Sequence, residues 1–154
     1  MAPKAFGQFY SNKTQRISTS KPVVVILDAQ ENAGGAAGTI DFNKGDIIIK
    51  QAGLYLIIAG PQVGKVTGTT HRWIDLWLRV NNTDVRNSNI RAVLKDPEDK
   101  TVALMNCVLP LKGEDKLNVV MAAESIEDGL GLEMIAPNGE PTIPSIIITV
   151  VKLD

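Results

Sequence analysis

The chain has 154 residues, of which 44% are hydrophobic and 21% charged, with a formal net charge of -1. This length fits one domain with a single core. The balanced charge, without a long run of Lys or Arg, argues against nucleic acid and anionic membranes as partners. Because Cys107 is the only cysteine, an intrachain disulfide framework is excluded.

The chain carries no sequence signal for a membrane or for secretion. No apolar run reaches the ~20 residues that a membrane-spanning helix requires, so membrane insertion is not expected. The first 15 residues lack the apolar core of a signal peptide, and the sequence assigns no compartment. Its 13 glycines and eight prolines are spread along the chain, and no long window keeps a 3.6-residue apolar period. These features predict an all-β protein with many short strands.

Residues 1–20 are predicted to form an N-terminal arm or a first strand, ahead of a main domain in residues 21–154. The arm is otherwise polar but carries Phe6, Phe9 and Tyr10, three of the seven aromatic residues, and these favour an ordered strand over a frayed tail. Residues 22–28 then form a continuous apolar run, which predicts a well-buried strand.

Residues 45–60 (GDIIIKQAGLYLIIAG) contain two apolar runs around a turn. An apolar run that is bounded by glycines and rich in β-branched residues is typical of a strand buried on both faces. Side chains alternate across a sheet, so if Tyr55 and Ile57 face the core, Leu56 and Ile58 emerge on the opposite face. Either a second layer of the chain or another copy of it must then cover them.

Residues 60–65 (GPQVGK) nearly match a phosphate-binding loop. The match is one residue short, and Val66 stands where a metal-binding hydroxyl is needed. Such a loop also opens a helix whose N-terminal amides hold the phosphate, and no helix is predicted here. Nucleotide binding is therefore not expected.

Residues 73–80 (WIDLWLRV) alternate strictly, which predicts a strand with one face on the core and one in solvent. The solvent face would carry Trp73, Trp77 and Arg79, the largest aromatic surface that the sequence offers. This surface is the candidate ligand site, because aromatic rings can stack on a ligand. Alternatively, a loop or an adjacent subunit covers the two tryptophans.

Residues 103–109 and 145–152 are also apolar at successive positions, which predicts two more strands buried on both faces. Asn106 is the polar exception in the first of these two segments, and a buried asparagine needs hydrogen-bond partners. It would either bond across an interface or face a solvent-filled channel. Cys107 is expected to be a buried thiol. The predicted inner sheet contains residues 22–28, 53–60, 103–109 and 145–152, and the outer sheet contains 73–80.

The order of four segments carries a resemblance to a known superfamily. The segments are KGDIIIKQAGLYLIIAGPQVG, a Trp-bearing strand ending RVNN, LPLKGEDKLNVVM and PSIIITVVKLD, within residues 20–153. They resemble the superfamily of tumour necrosis factor (TNF) and the globular heads of complement, most specifically at residues 52–56, which match the family's Gly-x-Tyr strand. The chain departs from the family pattern at Glu114, inserted in a Gly-Asp turn, and at Ile146 and Ile148, where the complement branch usually has phenylalanine and glycine.

The resemblance implies a ten-stranded antiparallel β-sandwich of jelly-roll topology that forms a homotrimer. Composition supports self-association, because an uncovered apolar face on several strands exceeds what a monomer tolerates. The number three comes from the resemblance. The resemblance also implies which residues lie at the trimer interface: Leu54, Leu56, Ile58, Leu104, Asn106, Val108, Ile146 and Ile148.

The first expected function is that of a non-enzymatic trimeric module with a structural, adhesion or surface-recognition role. It would bind a protein partner through its loops or its outer sheet. The alternative is a carbohydrate-binding, lectin-like trimer that stacks a glycan on Trp73 and Trp77. No catalytic, cofactor or metal site is predicted. His71 is the only histidine, it lies in a Gly/Thr loop, and no Ser, His and Asp trio can be argued.

Overall fold

The computed structural model describes residues 4–35 and 38–154. These residues form two antiparallel sheets packed as a sandwich, and no helix is found among them. The predicted all-β class is therefore confirmed. The strands are β1 (Phe6–Ser11), β2 (Gln15–Arg16), β3 (Val23–Val24), β4 (Ala29–Gly34), β5 (Ile40–Asn43), β6 (Asp46–Ile49), β7 (Gly53–Gly64), β8 (Arg72–Val80), β9 (Thr83–Asp84), β10 (Ile90–Leu94), β11 (Thr101–Val102), β12 (Met105–Leu111), β13 (Lys116–Ala123), β14 (Gly131–Leu132) and β15 (Ile146–Lys152).

The first sheet is built around β7, whose 12 residues make it the longest described strand. Ala59 of β7 pairs with Met105 of β12 on one edge and with Ile148 of β15 on the other. β1 continues the sheet beyond β15, and β4 follows β1. The main order is β12-β7-β15-β1-β4, and the short strands β2, β11 and β14 extend one end. Three predicted inner-sheet segments therefore share one sheet.

The second sheet has the order β10-β8-β13-β6-β5, with β3 added to β13 and β9 to β8. The prediction that residues 22–28 belong to the first sheet is wrong. Only Val23 and Val24 form a ladder, and they pair with β13 of the second sheet. Residues 22–27 are all apolar, but Ile26 is 63% exposed while Leu27 is buried. It is covered on one side only, so continuous hydrophobicity did not mean burial on both faces.

The core lies between the two sheets. Fully buried side chains alternate along the facing strands, as the period of two requires. They include Tyr55, Ile57, Ala59, Ile74, Leu76, Leu78, Ile146, Ile148 and Val150. The hydroxyl of Tyr55 donates a hydrogen bond to the Gln51 carbonyl at 2.7 Å, which satisfies its polar end. Burying each large apolar side chain contributes roughly 1.5–3 kcal/mol to stability.

Candidate functional site

The outer face of the first sheet, called here the sheet-one face, is formed by the outward side chains of β12, β7, β15 and β1. Cross-strand register places these side chains in rows. One row reads Phe6, Val151, Leu56 and Val108, and the next reads Gln8, Thr149, Ile58 and Asn106. The first row is apolar along its whole length.

Several large apolar side chains on the sheet-one face remain exposed in the single chain. Leu104 is 59% exposed, Val108 52%, Leu54 38% and Ile58 37%. Six of the eight predicted interface residues lie on this face: Leu54, Leu56, Ile58, Leu104, Asn106 and Val108. The structure thus brings these six together on one surface.

The placement of Ile146 and Ile148 on the interface is wrong. Both are buried in the core, with relative exposures of 0% and 1%. Ile148 pairs with Ala59, which faces the core, and directly paired residues share a face of the sheet. Ile147 and Thr149 emerge on the sheet-one face instead. Three consecutive isoleucines carry no alternation, so the register against β7 decides which of them point outward.

Sequence reasoning also missed an apolar hollow on the sheet-one face. The hollow is lined by Ile58, Leu104, Ile143 and Ile147, among others. Ile143 comes from the segment before β15 and forms an isolated bridge with Ile135. Nothing in the local spacing of these residues could have indicated this meeting, because they come from three separate stretches of the chain.

The outer face of the second sheet, called here the sheet-two face, carries the outward side chains of β8 and its neighbours. Trp73 lies there as predicted, but its ring is covered by the Arg91 guanidinium, whose central carbon is 4.1 Å from the ring centroid. Arg91 also donates to both carboxylate oxygens of Asp75, at 2.7 and 2.9 Å. A ligand stacking on Trp73 from that side would have to displace this cation.

The second tryptophan is also engaged by its own chain. Trp77 donates its indole N–H to Asp84 Oδ1 at 2.8 Å, and Arg79 Nε donates to the same oxygen at 2.9 Å. The pKa of Asp84 is lowered from its usual value, most strongly by the hydrogen bond from Trp77 and next by the hydrogen bond from Arg79. The predicted ligand surface is therefore a set of internally paired groups.

Lys65, the lysine of the near-match to a phosphate-binding loop, is buried, and its ammonium group contacts other residues of the chain. Residues 60–64 belong to β7, and no helix follows among the described residues. The Lys65 ammonium donates to the Thr70 carbonyl at 2.8 Å and lies 3.8 Å from Asp128 Oδ2. It is not presented to a phosphate in solution.

A cluster of charges at one end of the first sheet was also missed. Glu133 is nearly buried and accepts a hydrogen bond from Arg16 at 2.6 Å, while Lys100 contacts its other oxygen. Burial disfavours the charged form of Glu133, but the bonds from Lys100 and Arg16 outweigh that cost and lower its pKa. Arg16 and Glu133 are 117 positions apart, so spacing gave no signal. The cluster ties β2 to the segment after β14.

Cys107 and His71 are the only cysteine and the only histidine of the chain. Cys107 is half-buried rather than buried, and burial raises the pKa of its thiol, which disfavours the reactive thiolate. His71 is exposed in its loop. Within residues 4–35 and 38–154, no group of three or more His, Cys, Asp or Glu side chains is placed to hold a metal ion.

Comparison of the sequence with models of known protein families and with curated proteins gives no match. In the part of the chain that the structure describes, no helix is long and apolar enough to cross a membrane. The functional argument therefore rests on the geometry of the two outer faces.

Proposed function

We propose that the chain is a non-enzymatic assembly module, a ten-stranded jelly-roll sandwich that forms a homotrimer through the sheet-one face. The trimer would serve a structural, adhesion or surface-recognition role and meet a protein partner through its loops or the sheet-two face. One observation carries the proposal: exposed apolar side chains lie side by side on the paired strands β7 and β12 of the first sheet, at Leu54, Ile58 and Val108.

The exposed apolar surface needs a partner. Soluble monomers rarely expose a contiguous apolar patch larger than ~300–600 Å², and an interface made of such residues is typical of obligate oligomers. Each large side chain buried there contributes roughly 1.5–3 kcal/mol. Burying several such side chains would supply the free energy that offsets the loss of rotational and translational freedom on association.

The chemistry of the face favours a second copy of the same chain as the partner. Within the described strands β7, β12 and β15, no Asp, Glu, Lys or Arg occupies an outward-facing position. Two copies can therefore meet without like charges being brought together, and most soluble oligomers are closed assemblies of identical chains.

The trimeric state and the jelly-roll topology rest on the resemblance to the TNF and complement superfamily. The strand count supports that topology, because ten of the described strands have four or more residues. They divide into two sets of five, β12-β7-β15-β1-β4 and β10-β8-β13-β6-β5.

Light scattering coupled to gel filtration tests the proposal, and the expected mass is three times that of the 16.6 kDa chain. Ile58→Asp should yield monomer or aggregate, because it would bring up to three carboxylates together in a dry interface. Val93→Asp is the matched control, since Val93 is a β-branched residue, 57% exposed, on β10 of the other sheet. This variant should keep the native mass.

Three results would count against the proposal. A native mass of 16.6 kDa, monodisperse at micromolar concentration, would refute self-assembly. A native dimer would keep the role of the face and refute the number three. Dissociation by Val93→Asp as well as Ile58→Asp would show that the sheet-one face is not the contact.

A further inference from the structure

A polar groove lies at one corner of the sheet-one face, where β1, β4 and the segment before β15 meet. It lies on the β1 and β4 side of the sheet, away from β12, and adjoins the apolar hollow, with which it shares Pro144 and Ile147. The residues that line it and enter the argument are Tyr10, Asn12, Glu31, Thr142, Pro144 and Ile147.

Backbone hydrogen bonds fix the walls of the groove. Tyr10 lies in register between Ala29 of β4 and Ile147 of β15. Next to it, the Ser145 amide donates to the Ser11 carbonyl at 2.8 Å. The groove is therefore held open before any ligand arrives, which lowers the entropic cost of binding.

The wall opposite β1 is fixed in the same way. Ile135 and Ile143 exchange two backbone hydrogen bonds, at 3.0 and 2.8 Å. These bonds anchor the segment that carries Thr142 and Pro144 to the chain that follows β14. Both walls of the groove thus belong to the ordered sandwich.

Four polar side chains converge on the groove without being used by the fold. Tyr10, Asn12, Glu31 and Thr142 make no side-chain hydrogen bond or ion pair with any other residue that the structure describes. The sheet-two face is the opposite case, because Asp75 and Asp84 are both taken up by arginines. The free groups in the groove remain available to a ligand.

The types of these groups define the ligand. Glu31 can only accept hydrogen bonds when ionised, whereas the amide of Asn12 and the hydroxyls of Tyr10 and Thr142 can both donate and accept. No Lys or Arg lines the groove, so an anionic ligand is disfavoured and a neutral, hydroxyl-rich one fits. The Tyr10 ring, Pro144 and Ile147 add an apolar surface for a ligand with a C–H face.

A sugar ring combines these two properties, with hydroxyls around its edge and an apolar face. We propose that the groove binds a neutral saccharide, with the sugar ring stacked on Tyr10 and its hydroxyls bonded to Glu31 and Asn12. The carbohydrate-binding hypothesis is thereby moved to Tyr10, because the tryptophans of the sheet-two face are already paired with Arg91 and Asp84.

The test probes the full chain on an array of neutral and sulfated glycans, followed by saturation-transfer NMR with the best neutral glycan. We expect wild type to bind a neutral glycan. Tyr10→Ala should weaken binding about tenfold or more, through loss of the stacking surface. Glu31→Gln should weaken it by roughly tenfold, because a charged hydrogen-bond acceptor becomes neutral.

Phe6→Leu is the matched control, since Phe6 is an exposed aromatic residue on the same strand that does not line the groove. It should bind as wild type does. Absence of neutral glycan binding, binding of sulfated glycans only, or equal binding by Tyr10→Ala would overturn the proposal. Light scattering on the same samples reports assembly separately, so a monomer that still binds through Tyr10 would refute the trimer and keep the groove.

Discussion

The two outer faces of the sandwich lie on opposite sides of one core, and they expose different kinds of side chain. On the sheet-two face, Arg91 covers Trp73 while bound to Asp75, and Asp84 binds both Trp77 and Arg79. The central strands of the sheet-one face present leucine, isoleucine and valine without a charge. Both sheets contribute buried side chains to the core, so the difference concerns the outer faces. The proposed assembly would account for it, with solvent over the sheet-two face and a second copy of the chain over the sheet-one face.

The ion pairs of the sheet-two face are not a strong source of stability. Exposed pairs are screened by solvent and contribute little. Their arrangement instead lets two tryptophans face solvent while their polar and π surfaces are occupied. On the sheet-one face, by contrast, the exposed side chains of Leu54, Ile58 and Val108 are apolar and cannot form such pairs.

The largest expected effect separates two neighbours on β7. Ile57 is fully buried in the core, and Ile58 is 37% exposed on the sheet-one face. Ile57→Ala should lower the free energy of unfolding by about 2–5 kcal/mol, because it leaves a cavity. Ile58→Ala should instead shift the assembled protein toward single chains on dilution. Chemical denaturation at two protein concentrations, with light scattering, distinguishes the two effects.

If Ile57→Ala and Ile58→Ala behave alike, the proposed difference between the core and the sheet-one face is contradicted. Equal losses of unfolding free energy, with no change in mass for Ile58→Ala, would mean that Ile58 packs only within its own chain. A circular dichroism spectrum is recorded for each variant. If both variants lose assembly, Ile57→Ala should also lose the native spectrum, because its effect is on folding, whereas Ile58→Ala should keep it.

The predictability of the fold follows from the alternation of its strands. In β8 the strict alternation placed Ile74, Leu76 and Leu78 inward, and all three are buried. In β15 the run of isoleucines has no alternation, and the residues assigned to the outer face lie in the core. A pattern of period two contains the information on orientation, whereas a uniformly apolar run leaves it to the register with the neighbouring strand.

The candidate sites were less predictable, for a related reason. Trp73 and Trp77 could be assigned to an outer face from alternation. Their partners, Arg91 over the Trp73 ring and Asp84 at the Trp77 indole, lie on other strands. The polar groove joins Tyr10, Glu31 and Thr142 from three distant parts of the chain. Such groups meet through strand order, and strand order is set by long-range pairing that one sequence does not display.

A smaller effect is expected at Asn106, the polar member of its strand on the sheet-one face. Asn106→Leu should strengthen assembly, lowering the dissociation midpoint by about five- to tenfold, because every copy exchanges a polar group for an apolar one. Dilution monitored by light scattering measures this. Asn138→Leu, in an exposed turn, is the control and should leave the midpoint unchanged. Weaker assembly of Asn106→Leu would indicate that Asn106 makes a hydrogen bond across the interface.

The smallest expected effect concerns the sheet-two face and acid. The hydrogen bonds from Trp77 and Arg79 lower the pKa of Asp84 from its usual value of 3.8, so the stabilisation from its ionised form is present at neutral pH. That stabilisation is lost only as the pH falls through the lowered pKa. The Trp77 indole N–H resonance should therefore shift below pH 3.8, and the step should be absent in Asp84→Asn. A step at or above the usual value would show that Trp77 and Arg79 do not hold Asp84 in solution. The sheet-one rows around Leu56 contain no titrating side chain, so the assembled mass should not change between about pH 7 and about pH 5.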